Sequence, residues 1–232
     1  MLRALLIILL LATPAHAVKS IAVVGDSINW GGLTSAAPFD ADGYRHSRWS
    51  MADTLRELLE HAPAGNQWLN ATVVDWGVNA SNPTDWTGTP DPTECSTWQD
   101  RHPHLKAACR DGAGIINYIP SGYDLVLVMF NGNVGGSTSD WVDTLVTLRD
   151  ELDAVNTTVL VGTPPYGSAS GTTALPPDSF LTARQAVETE MSGRTMITGA
   201  HPTGGYPMCV DTIHMRDHAY AAQAALWYGV LP

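Results

Sequence analysis

Short apolar runs alternate with longer amphipathic segments along this chain. Apolar runs of strand length predict four buried parallel strands and a weaker fifth. Hydrophobic residues at helical spacing predict helices between and after the strands. The predicted strands cover 20–24, 72–74, 125–130, 158–161 and 195–198, and the predicted helices cover 50–61, 139–155, 179–191 and 217–228. This order predicts an α/β protein, a three-layer α/β/α sandwich around a mainly parallel five-stranded sheet.

Two of the predicted helices have well-defined apolar faces. These faces comprise Met51, Leu55, Leu58 and Leu59 in the first helix and Val142, Leu145, Val146, Leu148 and Leu152 in the second. Trp141 and Trp227 also lie in predicted helices, and we expect both in the core. Segments 77–123 and 163–178 are instead rich in Gly, Pro, Ser and Thr, so we expect long loops there. Loops of that length in a compact domain often carry function.

The start of the chain has the features of an export signal. Arg3 precedes an apolar stretch over 4–12, and Ala15-His16-Ala17 suits cleavage after Ala17. We therefore expect a secreted or periplasmic protein in which residues 18–232 form a single domain. The apolar stretch is shorter than the roughly 20 residues that cross a bilayer, so we expect no membrane span.

Charge narrows the range of partners. The chain carries 12 basic and 23 acidic residues, and loss of Arg3 with the leader takes the formal net charge from −11 to −12. A surface this acidic repels phosphate backbones, which argues against nucleic-acid binding.

The chain contains three cysteines, Cys95, Cys109 and Cys209. Export permits disulfide formation. A bond between Cys95 and Cys109 would close the first predicted loop and leave Cys209 free, but sequence alone does not decide the pairing.

Two separated motifs point to nucleophilic catalysis. Ser27 follows the first predicted strand in Gly25-Asp26-Ser27, and Asp211-Thr-Ile-His214 precedes the last predicted helix. A serine hydroxyl becomes a useful nucleophile when an imidazole accepts its proton and a carboxylate orients that imidazole. Each motif alone also fits a structural role, as a turn or a helix cap. Together they favour Ser27, His214 and Asp211 as a catalytic triad.

Four blocks in matching order resemble the SGNH hydrolases, also called GDSL esterases and lipases. The first is Gly25-Asp26-Ser27 with Gly31 after three further residues, and the last is Asp211-Thr-Ile-His214. Between them lie Val74-Asp-Trp-Gly-Val-Asn-Ala-Ser81 and Leu127-Val-Met-Phe-Asn-Gly-Asn-Val134. The resemblance implies the family's flavodoxin-like fold and a serine nucleophile at Ser27.

The two middle blocks correspond to the family's oxyanion hole, which would also use the Ser27 N–H. In the first of them, the position of the family's glycine donor falls on Ala80, with Gly77 as the fallback. A backbone N–H still serves at an alanine if φ is negative. In the second, Asn133 matches the family's asparagine donor, although Asn131 and Val134 replace a glycine and an aspartate. An ordinary β-to-α turn is the alternative for both blocks.

The resemblance implies ester hydrolysis through an acyl-enzyme, with no metal or organic cofactor. Export, acidic charge and loop tryptophans favour a carbohydrate O-acetyl ester, so the expected partner is a small-molecule or polysaccharide ester. A lipid or aryl esterase or a thioesterase is the alternative within the family. A noncatalytic glycan-binding module on the same fold is the alternative outside catalysis, suggested by Ala80 and the altered asparagine block. The oligomeric state is not predicted.

Other polar and aromatic residues are weaker candidates. Asp26, Trp30 and Tyr166 are candidates for substrate binding because they adjoin the predicted site, and flat indole faces suit sugar rings. The further loop tryptophans are Trp76, Trp86 and Trp98, for which packing is the simpler interpretation. His214 and His218 lie one helical turn apart and would share a metal with Asp211 or Asp217, but the glutamate of a metalloprotease helix is absent. His102 and His104 are expected to be solvated or to pack within their loop.

Overall fold

The computed structural model describes residues 17–26, 50–79, 81–130, 138–162, 189, 196–197 and 217–232. Within these residues it contains five strands, six α-helices and one 3-10 helix. The strands are β1 (Ser20–Gly25), β2 (Thr72–Asp75), β3 (Leu125–Met129), β4 (Val159–Gly162) and β5 (Met196–Ile197). The α-helices are α1 (Met51–Glu60), α2 (Pro83–Thr87), α3 (Pro92–Thr97), α4 (Pro103–Asp111), α5 (Thr138–Asp153) and α6 (Asp217–Gly229), and the 3-10 helix is Ile115–Tyr118.

The five strands form one parallel sheet in the order β2-β1-β3-β4-β5. The chain runs from β1 outward to β2 and then returns to place β3 on the other side of β1. Strand order therefore reverses between β1 and β3, the type of position where open α/β sheets bind ligands at their carboxyl ends. The predicted parallel sheet is confirmed, including the weak fifth strand, of which Met196–Ile197 is described.

Side chains of the sheet alternate between two buried faces. Ile21 and Val23 belong to one apolar cluster, whereas Ala22 and Val24 belong to the other. The first cluster packs against α1 and α6, and the second packs against α5 and against residues of 77–123. Burial on both faces explains why the strands are almost wholly apolar and confirms the three-layer sandwich.

The predicted helices over 50–61, 139–155 and 217–228 are observed as α1, α5 and α6. The Ser50 hydroxyl caps α1 by accepting the Asp53 N–H at 3.1 Å. The apolar faces point inward as expected, with Leu58 and Val146 only partly buried at their margins. Trp141 and Trp227 are core residues, at 3% and 0% exposure. Apart from residue 189, the predicted helix over 179–191 lies outside the described residues, as does the segment 163–178.

The β2–β3 connection, residues 77–123, is not the long loop that its composition predicted. It contains α2, α3, α4 and the 3-10 helix. Each of its α-helices begins with proline directly after a capping position. Asn82 and Asp85 form a reciprocal capping box, and Asp91 accepts the Thr93 N–H. Asparagine, aspartate and proline mark helix starts here, because the Asn82 and Asp91 side chains accept early N–H groups and proline has no N–H to satisfy.

A disulfide joins Cys95 on α3 to Cys109 on α4, with Cα atoms 5.7 Å apart. This is the Cys95–Cys109 pairing considered from the sequence, and Cys209 lies outside the described residues. The bond fixes α3 against α4 within the β2–β3 connection. Trp86 of α2 is fully buried and packs edge-on against Phe130, so packing is its role.

Candidate functional site

The predicted site residues divide into described and undescribed positions. Asp26 and Gly77 are described. Ser27, Trp30, Ala80, Asn133, Tyr166, Asp211 and His214 lie outside the described residues. The structure therefore gives the geometry of the framework that precedes or flanks these residues.

The carboxyl ends of β1 and β3 lie side by side. Gly25, the last residue of β1, pairs in register with Met129, the last residue of β3. Ser27 follows Gly25 by two positions in the sequence, and Asn133 follows Met129 by four. Adjacent strands are about 5 Å apart, so the segments that carry these two residues start from neighbouring points at the strand-order reversal.

The segment after β2 is tied to the end of β1. The Val78 N–H donates to the Gly25 carbonyl at 2.9 Å, and the Trp76 N–H donates to the Val23 carbonyl at 2.8 Å. Beyond residue 80, the Ser81 hydroxyl donates to the Val78 carbonyl at 2.9 Å. The backbone on both sides of Ala80 is therefore held close to the strand that leads to Ser27.

A buried histidine also holds this segment. The Asn79 N–H donates to His102 Nε2 at 3.3 Å, and both residues are buried. Accepting this bond requires a neutral His102 with its proton on Nδ1. His102 packs within the connection, as one of its two predicted roles stated, and is not solvated. Sequence reasoning missed its contact with the residue before Ala80, because the two positions are 23 residues apart.

The two described candidates have specific environments. The Gly77 N–H donates to Asp75 Oδ1 at 2.8 Å, so this backbone donor is already engaged. Asp26 has no exposed surface. The role of Asp26 in substrate binding stays a prediction.

A cavity of about 380 Å³ opens beside this framework, between α1, the end of β2 and the start of α4. Its polar lining includes Asp53, Asp75, Arg101, His102 and His104, and Trp76 adds an aromatic wall. Sequence reasoning did not identify this cavity. An acidic residue at a strand end and two histidines before a helix were the available signals.

Burial shifts two ionisable groups at the cavity towards their neutral forms. It raises the pKa of Asp75 from 3.8 to about 7, with a smaller contribution from the charge of Asp53 and an opposing hydrogen bond from Gly77. Burial also lowers the pKa of His104 from 6.5 to about 4. At neutral pH the imidazole is therefore uncharged and Asp75 is partly protonated.

No cluster of three or more histidine, cysteine, aspartate or glutamate residues suited to a metal occurs in the described part of the chain. The alternative metal set includes Asp211 and His214, which are not described. Among the residues described, no helix is both long and apolar enough to cross a membrane.

Solved esterase structures share this architecture. A carbohydrate acetylesterase family member from Sinorhizobium meliloti aligns with a TM-score of 0.59 and 16% identity, over 91% of this chain and 96% of that chain. The acetylxylan esterase Axe2 from Geobacillus stearothermophilus aligns with a TM-score of 0.58 and 14% identity, over 91% and 93%. A lipase/acylhydrolase from Enterococcus faecalis aligns with a TM-score of 0.52 and 16% identity, over 90% and 93%.

No protein-family model matches the sequence, and a search of curated proteins finds no significant match. The solved structures above are α/β hydrolytic enzymes of the SGNH type. The chain therefore has the SGNH hydrolase fold, which confirms the predicted resemblance at the level of the fold.

Proposed function

We propose that this protein is an exported serine ester hydrolase. The observation that carries the proposal is the convergence of three sequence blocks on the end of β1. Gly25 pairs with Met129 of the asparagine block, and the Gly25 carbonyl accepts the Val78 N–H from the block that contains Ala80. Three segments with separate matches to serine-esterase motifs thus begin or pass at one point of the sheet.

In the proposed mechanism, His214 accepts the Ser27 hydroxyl proton while the oxygen attacks the ester carbonyl. Asp211 orients His214 and stabilises its charged form. The tetrahedral oxyanion accepts hydrogen bonds from the N–H groups of Ser27 and Ala80 and from the Asn133 amide. The alcohol departs with the proton from His214, and water then attacks the acyl-enzyme by the same route to release the acid.

The environment of Gly77 supports Ala80 as the second backbone donor. The Gly77 N–H is occupied by Asp75 Oδ1, whereas Ala80 follows directly after a backbone position that His102 anchors. An oxyanion donor works best when its orientation is fixed before the reaction. The anchored segment offers that condition at Ala80.

The preferred substrate class is an O-acetyl ester on a carbohydrate. Two of the structural neighbours above are named as acetylesterases of carbohydrates, although their low identity to this chain shows only a common fold. The net negative charge suits a neutral polysaccharide better than an anionic one. The disulfide between Cys95 and Cys109 supports export into an oxidising compartment. Lipid, aryl or thioester hydrolysis remains the alternative activity.

Release of 4-nitrophenol from its acetate and octanoate esters tests the proposal. Ser27→Ala and His214→Ala should each lower kcat by about 1,000-fold or more, because the nucleophile and its base act as a unit. Asn133→Ala should lower kcat by about 100 to 1,000-fold. The ratio of acetate to octanoate activity shows whether the acyl pocket accepts short or long acyl chains. If the parent and all three variants release 4-nitrophenol at the same background rate, the serine mechanism is contradicted. That result would favour the noncatalytic glycan-binding alternative.

A further inference from the structure

The residues on both sides of position 80 are held by other parts of the chain. On one side, the Asn79 N–H donates to His102 Nε2 at 3.3 Å. On the other side, the Ser81 hydroxyl donates to the Val78 carbonyl at 2.9 Å and accepts the Trp86 Nε1–H at 3.0 Å. All five residues have at most 7% exposure. Water therefore competes little for these bonds, and the backbone around position 80 is held by tertiary contacts.

His102 occupies the cap position of α4, but its side chain does not cap the helix. A cap side chain commonly accepts one of the first N–H groups of its helix, whereas the His102 ring makes no such bond within α4. Pro103 is the first residue of α4 and has no N–H that would need a partner. The acceptor nitrogen of His102 instead serves Asn79, in a segment that lies far away in the sequence.

The helix that begins after His102 is itself fixed. Leu105 and Ala108 of α4 are fully buried in the apolar cluster that packs against α5. Cys109 of α4 is bonded to Cys95 of α3. The His102 ring is therefore attached to a rigid element, so its bond to Asn79 fixes the position of that backbone and does not merely follow it.

The position of a backbone donor matters greatly in an oxyanion hole. Such a donor is effective because it is oriented before charge develops on the substrate oxygen. A displacement of about 1 Å can cost about 100-fold in rate. Asn79 directly precedes Ala80, so a shift of the Asn79 backbone would move the Ala80 N–H with it.

We propose that His102 is a positioning residue for the oxyanion hole. By accepting the Asn79 N–H, its ring fixes the next peptide, whose N–H at Ala80 donates to the oxyanion. This role requires no contact between His102 and the ester. It rests on the proposed function and on Ala80 as the second backbone donor, whereas the bond between His102 and Asn79 rests on neither.

The side-chain nitrogen NMR spectrum of the parent protein tests the hydrogen bond itself. At neutral pH, we expect His102 to carry its proton on Nδ1 and none on Nε2, because Nε2 must accept. The Asn79 amide should exchange slowly with solvent in the parent and faster in His102→Phe. A proton on His102 Nε2 in the parent, or unchanged exchange in the variant, would overturn the positioning role whether or not the protein is an esterase.

His102→Phe and His102→Gln test the effect on catalysis with 4-nitrophenyl acetate. Phenylalanine keeps a flat ring without an acceptor, whereas glutamine carries an oxygen that can accept the Asn79 N–H. His102→Phe should lower kcat by about 10 to 100-fold at nearly unchanged KM, because the displaced donor acts in the transition state. His102→Gln should recover most of kcat. An equal loss of kcat and Tm in both variants would indicate a purely structural role and overturn the proposal.

Two other histidines supply matched controls. The His104 ring packs edge-on against the His102 ring with centroids 5.7 Å apart, and its Nε2 has no hydrogen-bond partner within the described residues. His61 is exposed, and its ring bonds the Glu57 carbonyl of its own helix. His104→Phe and His61→Phe should therefore both keep the parent kcat.

The kinetic outcomes separate the two proposals. An unchanged kcat in His102→Phe, or an equal loss in His104→Phe, would overturn the positioning role and leave the esterase proposal standing. If the parent protein cleaves no ester, the proposed function fails and the positioning role fails with it.

Discussion

In the parallel sheet, Val, Leu and Ile side chains alternate between two apolar faces, whereas the β2–β3 connection depends on helix caps, a disulfide and buried polar contacts. Ile21 and Val23 need only an apolar neighbour of suitable size. Trp86 also needs the Ser81 hydroxyl for its Nε1–H at 3.0 Å, and Asn79 needs a neutral His102. The sheet therefore tolerates changes that conserve volume, while the connection depends on individual atoms.

This difference matters for function because the two regions meet beside β1. The sheet fixes where the segments after β1 and β3 begin. The connection fixes the backbone on either side of Ala80. Its residues 101–104 also form one wall of the cavity that Asp75 lines. We expect changes in the connection to alter kcat and KM before they unfold the sheet.

Removal of the disulfide should cause the largest loss of stability among these tests. The bond joins cysteines 14 positions apart, and closing a loop of about that length is worth about 3 kcal/mol. The Cys95→Ser, Cys109→Ser double variant should therefore show a Tm lowered by several degrees, and limited proteolysis should cut first within 92–111. Cys209→Ser is the control and should keep the parent Tm. A Tm unaffected by the double substitution would show that the connection does not depend on the bond.

Substitution of one glycine in each region compares the connection with the sheet directly. A Cβ at Gly114 would lie 2.4 Å from the Trp86 carbonyl oxygen and 2.9 Å from the Thr87 carbonyl carbon, both backbone atoms. A Cβ at Gly162, at the end of β4, would lie 2.7 Å from the buried Trp227 ring, a side chain rather than backbone. Gly114→Ala should thus be the more damaging of the two, within about 1 to 3 kcal/mol for overpacking. Denaturant unfolding measures both, and a larger loss for Gly162→Ala would contradict the account.

The smallest expected effect is a pH dependence at the cavity. The pKa of Asp75 is raised to about 7, so its stability contribution is full below pH 3.8 and is lost as pH rises towards 7. Asparagine does not ionise, so Asp75→Asn avoids that loss of stability. The Tm of the variant minus the Tm of the parent should therefore increase from pH 4 to pH 8. After allowance for water in the open cavity, we expect about 1 kcal/mol, or about 2 to 4 °C.

Glu94→Gln should show the same trend, because burial and the charge of Asp85 raise the pKa of Glu94 to about 7. Unlike Asp75, Glu94 does not line the cavity, so its substitution should leave the kinetics of ester hydrolysis unchanged. A Tm difference for Asp75→Asn that does not vary with pH would show that the carboxyl is not desolvated.

The sequence predicted the sheet well because burial on both faces leaves an unmistakable apolar signal in β1, β3 and β4. The prediction failed in the β2–β3 connection because each helix there is too short for a clear periodic pattern. The connection is also rich in Pro, Ser and Thr, a composition that is typical of loops. Asn82 and Asp85, three residues apart, were the local signal of a helix start. The contact between His102 and Asn79 depends on tertiary folding alone, and no local pattern indicates it. The triad itself stays a prediction from sequence motifs.

Covalent labelling tests the central claim most directly. A fluorophosphonate should modify the active protein once per chain, and peptide mass mapping should place the adduct on Ser27. His214→Ala should react far more slowly, since the base that activates Ser27 is gone, while His61→Phe should label like the parent. Absence of labelling in a folded, active protein, or an adduct on another residue, would contradict the account.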